Sequence, residues 1–263
     1  MRSRMSLIAV AVLCAVCASV TGARQDEEPR PELSFIVVEH VQPSMMKEYE
    51  EATRELISEL KAYQVDPAKV RFFTIVGPEL GYAYVIPISS FAEFDGMKES
   101  WGSVVEQIGE QRWKTLAARA DAAVERRESF FSRWRADLSY EPANPSLAEE
   151  DVKYIKYAMY YVKPGHEEQL EQVAKDYAAL YREHGIDRPW NIYQAITGAD
   201  LPLYVVANPA ESPAAHENHK ERIGALLAEA AAPLEQESMK HVRKIELMDG
   251  WWRPDLSYPS MDE

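Results

Sequence analysis

The sequence predicts an α+β fold in which one small domain occurs twice along a single chain. Three observations carry that prediction. The seven residues Trp134-Arg135-Ala136-Asp137-Leu138-Ser139-Tyr140 return as Trp252-Arg253-Pro254-Asp255-Leu256-Ser257-Tyr258, with six positions identical. Val41-Gln42-Pro43 returns as Val162-Lys163-Pro164, 121 residues later, and the same shift carries Asp66 onto Asp187 and Gly77 onto Gly198. A shift of 122 lays Phe94, Met97, Trp101, Val104 and Val105 on His216, His219, Ile223, Leu226 and Leu227. Recurrence at roughly a hundred residues marks a repeated structural unit. The units are 33–141 and 153–258, joined by the proline-containing, acidic segment 142–152. The terminal motif returns at 118, so the second unit is expected to lose a few residues ahead of its last strand.

Each unit reads as strand, helix, strand, strand, helix, strand. Leu33 to Val41 is a short apolar run halted by Pro43, as a strand end should be. Met45, Met46, Tyr49, Ala52, Thr53, Leu56, Ile57 and Leu60 then recur at helical spacing between charged residues. Val70 to Val76 and Tyr82 to Ile88 are expected strands of a hairpin around Gly77-Pro78-Glu79-Leu80-Gly81. Phe91, Phe94, Met97, Trp101, Val104, Val105 and Ile108 mark a second helix reaching toward Ala118, and Val124 to Phe131 the last strand. In the second unit the corresponding strands are Tyr154–Val162, Asn191–Ile196, Leu203–Ala207 and Lys240–Leu247. Its first helix carries Leu170, Val173, Ala174, Tyr177, Leu180 and Tyr181, and its second spans Pro213 to Leu234. This βαββαβ order is the ferredoxin-like pattern, whose sheet carries helices on one face only. Two such sheets face to face would cover each other's bare side, so the prediction is two tandem ferredoxin-like domains sharing one core.

The ends and the charge bound location and partners. Arg2 and Arg4 precede an apolar run from Leu7 to Val20 and the small residues Thr21-Gly22-Ala23, the pattern of a secretory signal peptide over 1–23 cleaved after Ala23. A secreted or periplasmic protein is therefore expected, with a flexible leader at 24–32 and a tail at 259–263. Both cysteines, Cys14 and Cys17, lie in the signal, so the processed chain offers neither disulfides nor thiolates. The formal charge is −14, and −16 once the two arginines of the signal are gone. That balance argues against nucleic acid and, after signal cleavage, against a membrane surface.

Val162-Lys163-Pro164-Gly165-His166-Glu167-Glu168-Gln169-Leu170 resembles the strand-to-helix turn of the dimeric α/β-barrel superfamily, above all its NIPSNAP-like and antibiotic-biosynthesis-monooxygenase-like branches. The first unit keeps Val41 and Pro43 but has Ser44 where that turn usually has Gly. The element order extends the resemblance over most of 33–258. Members of the superfamily usually pair two chains into one barrel. The resemblance implies an intramolecular dimeric α/β barrel here, a pseudo-dimer within one chain, with higher oligomers open. Activities in the superfamily run from cofactor-free oxygenation through haem chemistry to no known catalysis, so fold membership does not carry function.

His216-Glu217-Asn218-His219 is the sharpest chemical signal. Residues three apart share a helix face, so the two imidazoles could converge on a metal or haem, or act as acid and base. The first unit has Phe94 and Met97 there, and the stripe continues through Ile223, Leu226, Leu227 and Ala230. The alternative is two hydrogen-bonded or half-exposed packing residues. Similarity to haem-degrading monooxygenases and chlorite dismutases implies haem at such a histidine; no cofactor is an equal expectation. A zinc site would need a third ligand, from His166 or His241. His40 closes the first strand beside Glu39, one of the two facing inward. With Tyr160, Tyr161 and Tyr193 it is a candidate lining for a flat, partly polar ligand, against ordinary sheet packing. The repeated Trp-Arg-x-Asp-Leu-Ser-Tyr segments are expected to clasp the units through Arg135–Asp137 and Arg253–Asp255. The expected function is binding of a small aromatic or apolar molecule between the sheets. The alternatives are a haem-dependent or cofactor-free monooxygenase-like enzyme using His216 or His219, and a structural module without catalysis.

Overall fold

The computed structural model describes residues 31–259, so the signal-peptide reading, the leader up to residue 30 and the tail from 260 lie outside the described residues. Among the described residues, eight strands and five α-helices form one closed barrel with helices outside. The strands are β1 (Leu33–Val41), β2 (Phe73–Val76), β3 (Gly81–Ile88), β4 (Val124–Trp134), β5 (Tyr154–Val162), β6 (Asn191–Thr197), β7 (Leu203–Ala210) and β8 (Val242–Trp252). The helices are α1 (Met46–Ala62), α2 (Phe91–Ile108), α3 (Glu110–Ala123), α4 (Glu167–Glu183) and α5 (Pro213–His241). Around the barrel the order is β1-β3-β2-β8-β5-β7-β6-β4, with all pairs antiparallel. Residues 33–134 thus supply one run of four adjacent strands and residues 154–252 the other. They are stitched together where Ile75 and Val76 pair with Trp252 and Trp251, and where β4 pairs with β6.

Strand alternation sorts side chains into two layers. Ile36, Val38, Ile75, Val85, Tyr157, Met159, Val205 and Met248 meet inside the barrel, drawn from strands of both halves. The opposite faces bury against helices: Val162, Ile192, Tyr204 and Val242 against Leu170, Ala178, Ile223 and Leu227 of α4 and α5. Gly250 makes the interior possible, because a Cβ there would sit 2.7 Å from Tyr157 Cε2 and 2.9 Å from Ile75 Cγ2. The tyrosine ring occupies the space a side chain would take.

Several boundaries differ from the sequence reading, each for a visible reason. β2 starts at Phe73 rather than Val70, because Val70 closes a turn onto Asp66 and Phe72 bridges instead to Tyr258. The second helix of the first half does not run through to Ala118; Gly109, at φ 92°, ends α2, and α3 restarts at Glu110. In the second half the matching α5 is unbroken and passes Pro233, which lies on the solvent side where water reaches the carbonyl left without its N–H. β8 continues to Trp252 rather than stopping at Leu247, because Met248, Gly250 and Trp252 keep up the inward alternation.

Candidate functional site

Two different environments received the residues singled out from sequence. His216 and His219 lie in the first turns of α5, whose start is fixed by the Ser212 hydroxyl accepting from the Ala215 N–H at 3.1 Å. Their spacing puts both on the inner face, half-buried, where they line a cavity of about 330 Å³ between the helices and the outer face of the sheet. The apolar wall is Tyr177 and Tyr181 of α4, Trp190, and Ile223 and Leu227 of α5. Lys156 of β5 and Asn208 of β7 rise from the floor, and the 66 % exposed Leu247 marks the opening.

Polar groups are organised around this space. Lys156 Nζ lies 2.7 Å from Asp249 Oδ1, and the Tyr154 hydroxyl donates to the same oxygen. The Tyr154 ring stands edge-on to His216 at 6.1 Å. Arg188 Nη2 reaches Glu211 Oε1 at 2.7 Å and Oε2 at 2.9 Å. Arg222 Nη2 lies 3.2 Å from His219 Nδ1 and 2.9 Å from Asp187 Oδ1.

The equivalent place in the first half is filled. Phe35 packs on Phe94 at 4.8 Å and on Phe131 at 5.0 Å, while Phe131 also meets Phe91 at 5.1 Å and Phe94 at 4.8 Å. The positions that match these rings in the second half, counted from the matching element starts β1/β5, Ser90/Ser212 and β4/β8, hold Lys156, Pro213, His216 and Asp249. Phe35, Phe94 and Phe131 pack on one another and Phe91 lies against Phe131 from the exposed side, so aromatic rings take up this place. A lysine, a proline, a histidine and an aspartate open a cavity and give it polar edges.

Burial, and then the guanidinium groups of Arg222 and Arg188, lower the His219 pKa to about 4. Burial also lowers that of His216. Both imidazoles are therefore neutral near pH 7. Arginine can only donate, so His219 Nδ1 accepts from Arg222 and the ring's proton sits on Nε2. His219 thus presents an N–H, not a lone pair. Burial works against the charge of Asp249, but the hydrogen bonds from Lys156 and Tyr154 outweigh it and hold the carboxyl below its ordinary value.

The second group does not converge. His40, Tyr161 and Tyr193 face the barrel interior, whereas Tyr160 points the other way and packs under α4 and α5. His40 and Tyr161 occupy matching positions near the ends of β1 and β5. His40 Nε2 lies 3.0 Å from Arg126 Nη2, and burial, then Arg126, lowers its pKa. The Tyr161 hydroxyl donates to Glu246 Oε2 at 2.7 Å, with Lys244 Nζ 4.7 Å from its ring centre. Tyr193 is enclosed in the core. The space between the sheets, expected to receive a ligand, is instead packed with the rings and branches of Ile36, Tyr157, Met159 and Val205. His166 and His241, considered as third zinc ligands, sit with their Nδ1 atoms 3.0 Å apart, and His241 Nε2 is 3.0 Å from Glu237 Oε1. Among the described residues no group of three or more histidine, cysteine or acidic side chains is arranged to hold a metal ion.

Lys156, Arg188 and Asp249 were not anticipated. The signal was present in the sequence, as Phe35 and Phe131 facing Lys156 and Asp249 across the repeat, but it appears only when a separate shift is used for each element.

No protein-family profile matches the sequence, and no curated protein matches it either. Solved structures do. A candidate monooxygenase from Lactobacillus acidophilus NCFM aligns over 86 % of this chain and 95 % of its own at 8 % identity, with a TM-score of 0.51. An anthrone oxidase-like protein aligns over 86 % and 92 % at 10 % identity, with a TM-score of 0.53. The chlorite dismutase of Candidatus Nitrospira defluvii, solved with imidazole, aligns over 86 % and 93 % at 8 % identity, with a TM-score of 0.51. At such identities the likeness establishes architecture: the chain has the eight-stranded closed α/β barrel of the monooxygenase-like and chlorite dismutase-like structures.

Proposed function

We propose that this chain is two tandem ferredoxin-like repeats closing one barrel within a single polypeptide, exported after loss of residues 1–23. Its second repeat is a binding module for a small, flat, aromatic or apolar molecule. The observation that carries the reading is the exchange of the Phe35–Phe91–Phe94–Phe131 cluster for Lys156, Pro213, His216 and Asp249, with a cavity between helix and sheet as the result. Its volume of about 330 Å³ lies at the small end of ligand pockets, roughly 300–1,000 Å³. The Val162–Leu170 turn favours placement with the NIPSNAP-like and antibiotic-biosynthesis-monooxygenase-like branches.

His219 does not suit haem ligation, because its Nδ1 accepts from Arg222 and its Nε2 keeps the proton. A second reading, a cofactor-free monooxygenase-like enzyme, is favoured by one feature: His216 is neutral and half-buried, with Lys156 on the same cavity wall. Such an imidazole can take a proton from an acidic C–H or phenol, and the ammonium can stabilise the anion formed.

The test rebuilds the first half's packing in the second. Lys156→Phe with His216→Phe should fill the cavity, preserve cooperative unfolding, and abolish quenching of tryptophan fluorescence by aromatic ligands such as 2-naphthol. Binding undiminished in the double variant would remove the site from this cavity. A Soret band on adding haemin to the wild type, lost in His216→Ala, would restore the haem reading.

A further inference from the structure

The lining of the cavity turns from polar to apolar on the way out. Lys156 and His216, with side chains 22 % and 13 % exposed, are sunk between helix and sheet. Leu247, 66 % exposed, stands at the opening. It lies opposite Ala158 on the neighbouring strand β5, and the exposed Gly224 and Ala228 of α5 line the same cavity. Lys220, Gly224, Ala228, Ala231 and Glu235 recur every three or four residues, so they form one stripe along α5. The two charged members bracket the small ones, and Lys220 pairs with Glu217 at 3.2 Å. At Gly224 a Cβ would meet nothing within 4 Å, so this side of the opening is free space.

The first half has ordinary solvent-facing residues at the matching places. Counted from the same element starts, Leu247 corresponds to Ser129, Ala228 to Glu106 and Ala158 to Val37. Ser129 and Glu106 are exposed and polar, as surface positions usually are. The second half puts apolar residues at both positions where its cavity reaches the surface, and removes bulk from the strand between them. A ligand that matches this gradient has its polar end inside and an apolar end outside.

We infer that the ligand is an amphiphile, with an aromatic head inside near His216 and Lys156 and a hydrocarbon chain leaving between Leu247 and the Gly224–Ala228 stretch of α5. The methylenes of the chain cover Leu247, Ala158 and Ala228, apolar surface that water otherwise touches. The lip thus selects for a chain, while the cavity behind it selects for a ring. The inference rests on the cavity being a ligand site and adds which end of the ligand points outward and what that end is.

Calorimetric titration of the processed chain with 2-naphthol and with 6-butyl-2-naphthol tests it. The butyl compound should bind about tenfold to twentyfold more tightly, because a methylene is worth about fourfold when fully buried and about twofold on a lip still open to water. Leu247→Ser and Ala228→Glu, which carry the first half's residues into the second, should each cut that advantage to about threefold, and together should erase it. Both positions are exposed, so thermal melts should show the fold intact. Equal affinities in the wild type, or an advantage unchanged in the double variant, overturns the amphiphile assignment, while 2-naphthol binding alone still supports the cavity. Binding of neither compound overturns the cavity reading itself, and this inference with it. Sedimentation of the unliganded protein tests the other occupant of the lip: a dimer that Leu247→Ser dissociates would assign it to a second copy of the chain and overturn the assignment.

Discussion

Arg253 holds Glu50 in a two-pronged ion pair, Nη1 to Oε1 at 2.7 Å and Nη2 to Oε2 at 2.9 Å, across nearly the whole length of the chain. Arg135 repeats the arrangement on Glu171 at 2.6 and 2.9 Å. Each arginine also grips its own neighbour, Asp255 or Asp137, and each glutamate receives a tyrosine hydroxyl, Tyr82 at 2.9 Å or Tyr204 at 2.6 Å. The twice-written motif thus fastens each half's terminal arm to the other half. Arg253→Ala leaves Glu50 partly buried without its main partner and is expected to cost about 2–4 kcal/mol, below the value for a fully buried pair because water still reaches both groups. Trp252→Ala removes a ring packed on the barrel core and on Phe73, and should cost roughly 3–5 kcal/mol. Urea unfolding measures both. Ligand affinity should fall only as far as folding does; an intact melting temperature with binding abolished would make the motif a site.

Stability should fall in two stages on acidification. His219 has its pKa lowered from 6.5 to about 4, so the unfolded chain binds its proton first and stability is lost as pH drops through that interval. Hydrogen bonding to Arg253 comes first among the causes that hold Glu50, ordinarily 4.5, and Asp255, ordinarily 3.8, at about 2. Their contribution is complete above about pH 4.5 and is lost toward pH 2. Thermal melts from pH 8 to 2 should show both stages in the wild type. His219→Gln should shrink the upper stage and leave the part that His216 and His40, also lowered by burial, contribute, and a lower stage unchanged in Arg253→Ala would contradict the assignment.

Gly250→Ala places a methyl against Tyr157 and Ile75 inside the barrel and should destabilise by about 1–3 kcal/mol. Tyr157→Leu in the same chain should recover part of the loss, since contacting residues couple. Additive losses in a double-mutant cycle would show that the ring and the glycine do not share that space.

A protease site placed at Ala143–Pro145, exposed in the connecting segment, should give two fragments that co-elute. Two strand seams and both arms cross between them. Residues 24–141 expressed alone should aggregate, because the sheet would present Ile36, Val38 and Val85 to water. If that fragment is a soluble, cooperatively folded monomer, the halves are independent and this account fails.

Much of the fold could be read from the sequence where local and global signals agreed. Tyr154–Val162 is a strand over its whole expected length, because it alternates, is β-branched or aromatic, and ends at Pro164. Reading failed where tertiary contacts decided. Nothing in the helical stripe of the first half revealed the break at Gly109, and the end of β8 depends on partners in β2 that lie far away in sequence. The candidate site was half legible. The histidine pair stood out because its counterparts are Phe94 and Met97, but the strand residues Lys156 and Asp249 did not. Strand alternation alone cannot say which face meets a helix and which meets the opposing sheet.

The exchange of terminal arms also bears on how the barrel comes together. The first half receives its finishing contacts from a segment far along the chain: the Thr74 hydroxyl donates to the Leu256 carbonyl, the Thr74 N–H to Ser257 Oγ, and the Tyr258 hydroxyl to the carbonyl of Val65, across separations of 182, 183 and 193 residues. Contacts so distant in sequence carry a large loop-closure cost before they return any stability, so they form late. The seam that completes the first half therefore closes only when the second half has arrived beside it.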